Sequence, residues 1–328
     1  MANCTGQDNA LDEMFQLVQF ERSHAEREVC RRMELGRDQH NRTATVQGTD
    51  LRMGLIGRGI GLSRTPAMHE AEAAAQGLTC RYDLLDTEAG ETAPLPDILD
   101  RTEVAGYAGL NITYPYKQQV IPLLHELSDA ARQVGAVNTV VFRDGRRFGH
   151  NTDFRGYAGS LSAGLPDAAL STVLLIGAGG AGGAVGHALR SLGAGRILVH
   201  DTRPEAAAEL AASIRAAGGT AEPVTDSTAA AREADGLVNA TPVGMAKLPG
   251  LPLDGAALEP RHWVSDIIYF PLETEFLRRA RALGCRTLGG EGMAVLQAVR
   301  AFELFTGRPA DAERMRATFR SFTPGGAT

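Results

Sequence analysis

Beyond residue 50 the chain alternates short apolar runs with Ala-rich stretches of helical period, bounded by glycine, proline and small polar residues. Met53–Gly57 reads as a short buried strand, Thr65 as the cap of a helix over Pro66–Ala75, and Arg81–Leu85 as a second strand. Strand, helix, strand is a βαβ unit. Tyr107–Ile112 is a further strand, followed by helices over Lys117–Leu124 and Ser128–Val134. Val137–Phe142 and Arg147–His150, joined through Asp144-Gly145, have the form of a hairpin, because Asp-Gly readily takes the positive φ angles of a tight hairpin turn. After Pro166 a second series begins: strand Thr172–Ile176, helix Gly180–Leu192, strand Arg196–His200, helix Pro204–Ala217, then strands Gly236–Asn239 and Val264–Ile268. Strands that alternate with helices must be parallel neighbours joined by crossovers, so this half predicts a doubly wound parallel sheet. The chain closes with two helices, Gly292–Phe305 and Asp311–Phe322, without a strand between them.

Residues 1–50 break this pattern. They are charged, with Glu21-Arg22 and Arg31-Arg32, and keep only a patchy helical period through Met14, Leu17, Val18 and Phe20. The expectation is an N-terminal extension, disordered or partly helical, with an over-early start codon and translation from Met33 as the alternative.

Composition narrows the class. With 328 residues, 44% hydrophobic and 22% charged, the chain is globular and long enough for two domains. Aromatic residues are 5% against 38 glycines, which favours a layered α/β core of Ala, Val, Leu and Ile over a β-sandwich. A formal net charge of −6 argues against a protein that lives by neutralising phosphates, so no nucleic-acid partner is expected. Cys4, Cys30, Cys80 and Cys285 form no CxxC pair, which fits neither a disulfide framework nor a zinc ribbon and points to a reducing cytoplasm. The longest uncharged stretch, Ala168–Leu189, is interrupted by glycines, so it reads as a buried strand turning into a helix and no membrane span is expected. Asp8, Asp12 and Glu13 precede any apolar run, unlike a secretory signal. The eight histidines include no HExxH, so no metal is expected; His69 is read as a packed helix residue and His150 as structural.

The candidate chemistry starts at Gly177-Ala178-Gly179-Gly180-Ala181-Gly182, a GxGxxG directly after an apolar strand and opening a helix. Its glycines allow the tight turn, the approach of backbone N–H groups to a pyrophosphate, and close packing of helix on strand. The next strand ends at Asp201, about twenty residues on, where a carboxylate accepts from ribose hydroxyls. A 2′-phosphate about 4 Å from that carboxylate would be repelled by roughly 4 kcal/mol at an effective dielectric of 20, which favours NAD. Arg203 pulls the other way, since it can stack on adenine or pair with a 2′-phosphate, and Asp201 can also be read as a helix N-cap before Pro204. Hydride transfer needs a group to move the alcohol proton, and Asn111–Lys117 and Gly149–Asp153 are the polar clusters at strand ends that can supply one.

The order of these motifs resembles one family. Gly54–Gly57 with Ser63-Arg64-Thr65-Pro66, Asn111–Lys117, Gly135–Thr139, Gly149–Asp153, Gly177–Gly182, Asn239-Ala240-Thr241-Pro242, and Gly292-Met293 with Gln297 occur as in the shikimate dehydrogenases, from about residue 52 to the C-terminus. The resemblance implies that Lys117 and Asp153 are an acid/base pair, that Ser63 and Thr65 hold a substrate carboxylate, and that Thr113, Asn138 and Gln297 bind ring hydroxyls. It further implies that Asn239, Thr241, Gly292 and Met293 line the nicotinamide, with Tyr269 near the cleft, a packed aromatic being the alternative for that residue.

Asp201-Thr202-Arg203 stands where the NADP-dependent biosynthetic members usually show Asn-Arg-Thr, and Thr65 where a serine is usual. Both departures are most like the NAD-dependent quinate/shikimate dehydrogenases. The implied architecture is two α/β domains: a substrate-binding domain of residues 51–157 plus 290–322, and a Rossmann-type nucleotide domain of 158–289. A small-molecule substrate is expected, with a monomer or homodimer. The competing functions are a biosynthetic NADPH-dependent shikimate dehydrogenase and an inactive NAD(H)-binding sensor.

Overall fold

Two six-stranded sheets carry the chain in the computed structural model, which describes residues 50–322. The expectations on residues 1–49, including Met33, Cys4 and Cys30, lie outside the described residues. In chain order the first sheet is drawn from β1 (Asp50–Gly57), β2 (Thr79–Asp86), β3 (Gly109–Ile112), β4 (Glu126–Leu127), β5 (Thr139–Arg143) and β6 (Arg146–His150). The strands lie side by side as β2-β1-β3-β5-β6-β4. Helices α1 (Thr65–Ala75), α2 (Leu95–Val104), α3 (Tyr116–Gln119) and α4 (Asp129–Val134) connect them. β1 runs parallel to β2 and β3, with Met53 level with both Tyr82 and Gly109, while β5 is antiparallel to β3 and β6. The expected hairpin turn is there: Asp144 and Gly145 have φ of 51° and 67°, the pair of positive angles that matches strand twist.

Helix α5 (Thr152–Gly164) leads to the second sheet, built from β7 (Thr172–Ile176), α6 (Gly180–Ser191), β8 (Arg196–His200), α7 (Pro204–Ala216), β9 (Ala221–Pro223), α8 (Ser227–Glu233), β10 (Gly236–Asn239), β11 (Trp263–Asp266), α9 (Glu275–Ala282) and β12 (Arg286–Leu288). All pairs are parallel and the order is β12-β11-β10-β7-β8-β9. This is the doubly wound order, whose direction reverses between β7 and β10, the crevice where such sheets bind ligands. Period-2 alternation puts Val173 and Leu175 in one core layer with Val185, Leu189 and Trp263, and Leu174 and Ile176 in the other with Leu237, Val264 and Phe276.

The chain ends in α10 (Glu291–Thr306) and α11 (Ala312–Ser321). Their Phe302, Phe305, Met315 and Phe319 share a core with Leu51, Met53 and Met68 of the first sheet's side. Helix α5 joins the sheets: it opens at Thr152, with Asp153 in its first turn, but buries Tyr157 and Leu161 in the second sheet's core. The boundary expected at residue 157 therefore falls inside one continuous helix.

Several expected elements differ in detail. Thr65 does not cap α1 but is its first residue; Arg64 holds the cap position without a side-chain cap bond, and Ser63 Oγ accepts the Thr65 N–H at 3.3 Å. The helix expected over Lys117–Leu124 breaks into α3 and a 3₁₀ turn at Ile121–Leu123, where Pro122 has no N–H to give. The strand expected over Val264–Ile268 runs instead from Trp263 to Asp266, because the Ile268 N–H turns back to the Asp266 carboxylate. Asp201 caps no helix: Arg203 occupies the N-cap position of α7. Among the described residues no helix is long and apolar enough to cross a membrane.

Candidate active site

Lys117 and Asp153 meet at 2.6 Å, Nζ to Oδ2, with side chains 19% and 9% exposed. Different elements bring them together. Lys117 lies on the short helix α3 that follows β3, and Asp153 in the first turn of α5, where a carboxylate is favoured by the helix dipole. Asn151 caps α5 by accepting the Phe154 N–H and anchors it by donating to Ala136 O at 2.9 Å. The lysine stem also lies against the glycine turn: a Cβ on Gly180 would sit 3.6 Å from Lys117 Cδ.

A polar network runs under this pair. Asn138 donates to Thr152 Oγ1 at 2.9 Å and accepts the Thr152 N–H at 2.7 Å, and its amide reaches Gln297 Oε1 at 3.4 Å. The predicted ring-binding residues Asn138 and Gln297 are thus neighbours, although they are far apart in sequence. Thr113 directly follows β3 and faces β1, its N–H bonded to Ile56 O and its methyl group tight against Gly57.

Ser63 and Thr65 are half-buried at the start of α1. Arg64 between them is buried and turned away, donating to Phe319 O at 2.9 Å and Phe322 O at 3.3 Å and stacking on the Phe319 ring. The other edge of Phe319 meets Tyr269, 5.8 Å between ring centroids. Tyr269 is 40% exposed. Crowding by protein raises its phenol above the ordinary value and the Asp153 charge adds to this, while Arg64 opposes it. Tyr269 therefore lies within electrostatic reach of Asp153 and also packs as an aromatic.

The glycine turn is shaped as a cradle. Gly177 has φ of 103°, and a Cβ there would come within 2.8 Å of Ala240 O; a Cβ on Gly182 would strike Gly177 O, so helix and strand approach as the motif requires. Gly179 has nothing within 4 Å of its Cβ position, which leaves the turn open for a pyrophosphate against the start of α6. Asp201 Oδ2 accepts the Ala178 N–H at 2.7 Å and Oδ1 the Arg203 N–H at 2.9 Å. Burial acts to raise this carboxyl, but these two bonds and the Arg203 charge hold it below its ordinary value. The Arg203 guanidinium is 3.7 Å from Asp201 and largely in solvent. These residues fit a nicotinamide dinucleotide.

The other predicted cofactor residues divide. Thr241 is half-buried at the end of β10, while Asn239 and Met293 are buried, and Gly292 lies where α10 presses on Ser160 of α5. Asn239 Oδ1 accepts both the N–H and the hydroxyl of Thr241, so it shapes the loop that Thr241 presents. Three residues that were given no role from the sequence support the candidates: Thr152 bonds to Asn138, Arg64 anchors the segment between Ser63 and Thr65, and Asp266 accepts from Asn239. All three stand inside stretches already marked, Asp266 in Asp266-Ile267-Ile268-Tyr269-Phe270-Pro271 around Tyr269, which was the available signal, although no role was given to them. Among the described residues no group of three or more His, Cys, Asp and Glu is gathered to hold a metal.

A doubly wound sheet with a glycine cradle, beside a lysine–aspartate pair, defines the class of a nucleotide-dependent dehydrogenase. Two family models match, the shikimate dehydrogenase substrate binding domain at residues 55–140 and the shikimate 5'-dehydrogenase C-terminal domain at residues 290–318. A quinate/shikimate dehydrogenase (NAD(+)) of Corynebacterium efficiens is 52% identical over 82% of this chain and 97% of its own. A shikimate dehydrogenase (NADP(+)) of Streptomyces avermitilis is also 52% identical, over 81% of this chain and 93% of its own. Among solved structures, quinate dehydrogenase from Corynebacterium glutamicum in complex with NAD superposes with a TM-score of 0.77 at 48% identity, covering 83% of this chain and all of that one. The chain belongs to the shikimate dehydrogenase family.

Proposed function

We propose that the protein oxidises a ring hydroxyl of quinate or shikimate, to 3-dehydroquinate or 3-dehydroshikimate, with NAD favoured over NADP. The observation that carries this is the Lys117–Asp153 pair at 2.6 Å, set against the glycine turn at Gly180. When bound, the nicotinamide supplies the hydride acceptor. Ser63 and Thr65 hold the substrate carboxylate, and Thr113, Asn138 and Gln297 bind the remaining hydroxyls, so one ring carbon is turned toward Lys117. Lys117 takes the hydroxyl proton through its nitrogen lone pair as that carbon is oxidised, and returns it in the reverse direction. Asp153 orients the amine and stabilises it once protonated. Quinate has a C1 hydroxyl that shikimate lacks, and the Thr65 hydroxyl beside the carboxylate subsite can meet it.

NAD preference rests on Asp201, whose carboxylate faces the Ala178 N–H with Arg203 turned to solvent. The competing reading is an NADP-dependent biosynthetic enzyme, supported by the equally identical Streptomyces avermitilis relative. The substrate-binding part comprises residues 51–157 and 290–322 and the nucleotide part 158–289, in a cytoplasmic monomer or homodimer. Initial rates in a two-by-two grid, quinate or shikimate with NAD or NADP, test the reading. Turnover of both acids with NAD well above NADP is expected; turnover of shikimate alone with NADP would establish the biosynthetic reading instead.

A further inference from the structure

Asp266 is fully buried at the end of β11, level with Asn239 at the end of neighbouring β10. Its carboxylate accepts hydrogen bonds from three different segments. Oδ1 accepts from Asn239 Nδ2 at 3.1 Å and from the Ile268 N–H at 3.0 Å, and Oδ2 accepts the Thr274 hydroxyl at 2.7 Å. Each partner leads to the site or braces it. Asn239 holds the Thr241 N–H at 3.0 Å and its hydroxyl at 2.7 Å and donates to Val243 O at 3.0 Å, so the loop after β10 takes its shape from Asn239. Ile268 is followed by Tyr269, and Thr274 caps α9 by accepting the Leu277 N–H at 3.3 Å. The turn at Ile267–Ile268 also seats the start of α10: the Gly290 N–H bonds to Ile268 O at 3.3 Å, and a Cβ on Gly290 would strike Ile267 O.

We propose that Asp266 is the positioning residue of the nicotinamide half of the site, fixing the Asn239–Thr241 loop, the Ile268–Tyr269 turn and the seat of α10 in one arrangement. This rests on the dinucleotide reading above. A carboxylate is suited to the task because one oxygen accepts from two donors while the other accepts from a third, which a single hydroxyl cannot do at these separations. Burial drives the carboxyl up to about 6, with hydrogen bonds from Ile268, Thr274 and Asn239 opposing. An ionised group at such a site is tolerated for what it holds.

The adenosine half of the cofactor is served by the glycine turn and Asp201, on the far side of the switch point, so the two halves can be read separately. ADP-ribose carries everything but the nicotinamide ring, so its binding reports the rest of the cofactor and binding of NADH adds the ring. In Asp266→Ala, affinity for NADH should fall about tenfold or more relative to ADP-ribose, as three donors lose their acceptor. Turnover should fall by about 10², the scale of a displaced reacting geometry. Asp266→Asn keeps the oxygen that serves Asn239 and Ile268 and should restore most of both losses. If the alanine variant does not fold, Asp266→Ser, too short to reach its partners together, is read by the same ratio.

An unchanged NADH to ADP-ribose ratio, or an asparagine variant no better than alanine, would overturn the proposal. ADP-ribose affinity falling in step with NADH would do the same, by showing a general loss of structure. Wild-type protein that binds neither compound would overturn the dinucleotide reading and this inference with it.

Discussion

Lys117 and Asp153 are brought together by a four-residue helix and the first turn of a long one, both tied to the Ala136–Asn138 segment: Lys117 O accepts the Val137 N–H, and Asn151 donates to Ala136 O. Removing a positioned acid/base group costs roughly 10²–10⁴ in rate. Lys117→Ala and Asp153→Ala should each lower kcat on that scale while melting temperature stays near wild type, measured by steady-state kinetics beside thermal unfolding. A change in KM alone would make them binding residues. In the proposed function Asp201 governs a different quantity, the choice between cofactors. Its oxygens face the turn where a ribose would lie, and at about 4 Å a 2′-phosphate would be opposed by roughly 4 kcal/mol at an effective dielectric of 20. Asp201→Ser should therefore raise kcat/KM with NADP tenfold or more and weaken use of NAD, and titration with both cofactors reads it. If the NADP value does not move, Arg203 or the loop backbone sets the preference.

Among elements, α1 and α11 are tied by buried charge on both sides. Arg64 on the entry to α1 donates to Phe319 O and Phe322 O, and Glu72 within α1 accepts from Arg314 Nη1 at 2.8 Å and the Asp311 N–H at 3.1 Å. Hydrogen bonds from a charged donor contribute about 1.5–3 kcal/mol each. Arg64→Ala should thus lower stability by roughly 2–4 kcal/mol and raise KM for carboxylate-bearing substrates, because Ser63 and Thr65 flank the lost anchor. Arg64→Lys should not rescue it, since an ammonium cannot serve two carbonyls and stack on Phe319. Denaturant unfolding and KM measured on the same preparations decide.

Elements with strong local signals were legible in the sequence: the β7–α6–β8 unit, the Asp144-Gly145 hairpin and the two last helices. Those missed were α2, α5, α8 and the short strands β4, β9 and β12, while α9 showed only as a basic helix face at Arg278-Arg279. Helix α5 contains Gly156, Gly159 and Gly164, which lower helix propensity and hide its period; they are there because α10 packs against it so closely that a Cβ on Gly156 would come within 2.9 Å of Met293 O. Motifs within one segment could be seen, whereas Asp266 draws its meaning from strand register.

At the scale of the whole molecule, His69 makes stability depend on acid. Its ring is fully buried among Tyr82, Phe302 and Phe305, neither nitrogen has a partner, and burial lowers it to about 3. Above about 6.5 both folded and unfolded chains hold a neutral imidazole; below it only the unfolded chain takes the proton, so stability falls as pH drops from about 6.5 toward 3. His69→Phe should flatten the decline of melting temperature between pH 6.5 and 4.5. An unchanged slope would place the acid lability in other groups, of which His187, lowered to about 4 by burial and by Arg190, is one.

The shared core of Leu51, Met53 and Met68 with Phe302, Met315 and Phe319 also sets an order of birth. A ribosome delivers the first strand early and its covering helices last, after every strand of the second sheet has emerged. The nucleotide-binding half can close while its partner is still waiting, with half a core bare, for the end of the message. A nascent chain from which Leu288 has just emerged would carry a complete second sheet beside an unfinished first one, and chaperones would meet it on β1 and α1, on residues whose cover has not yet been made.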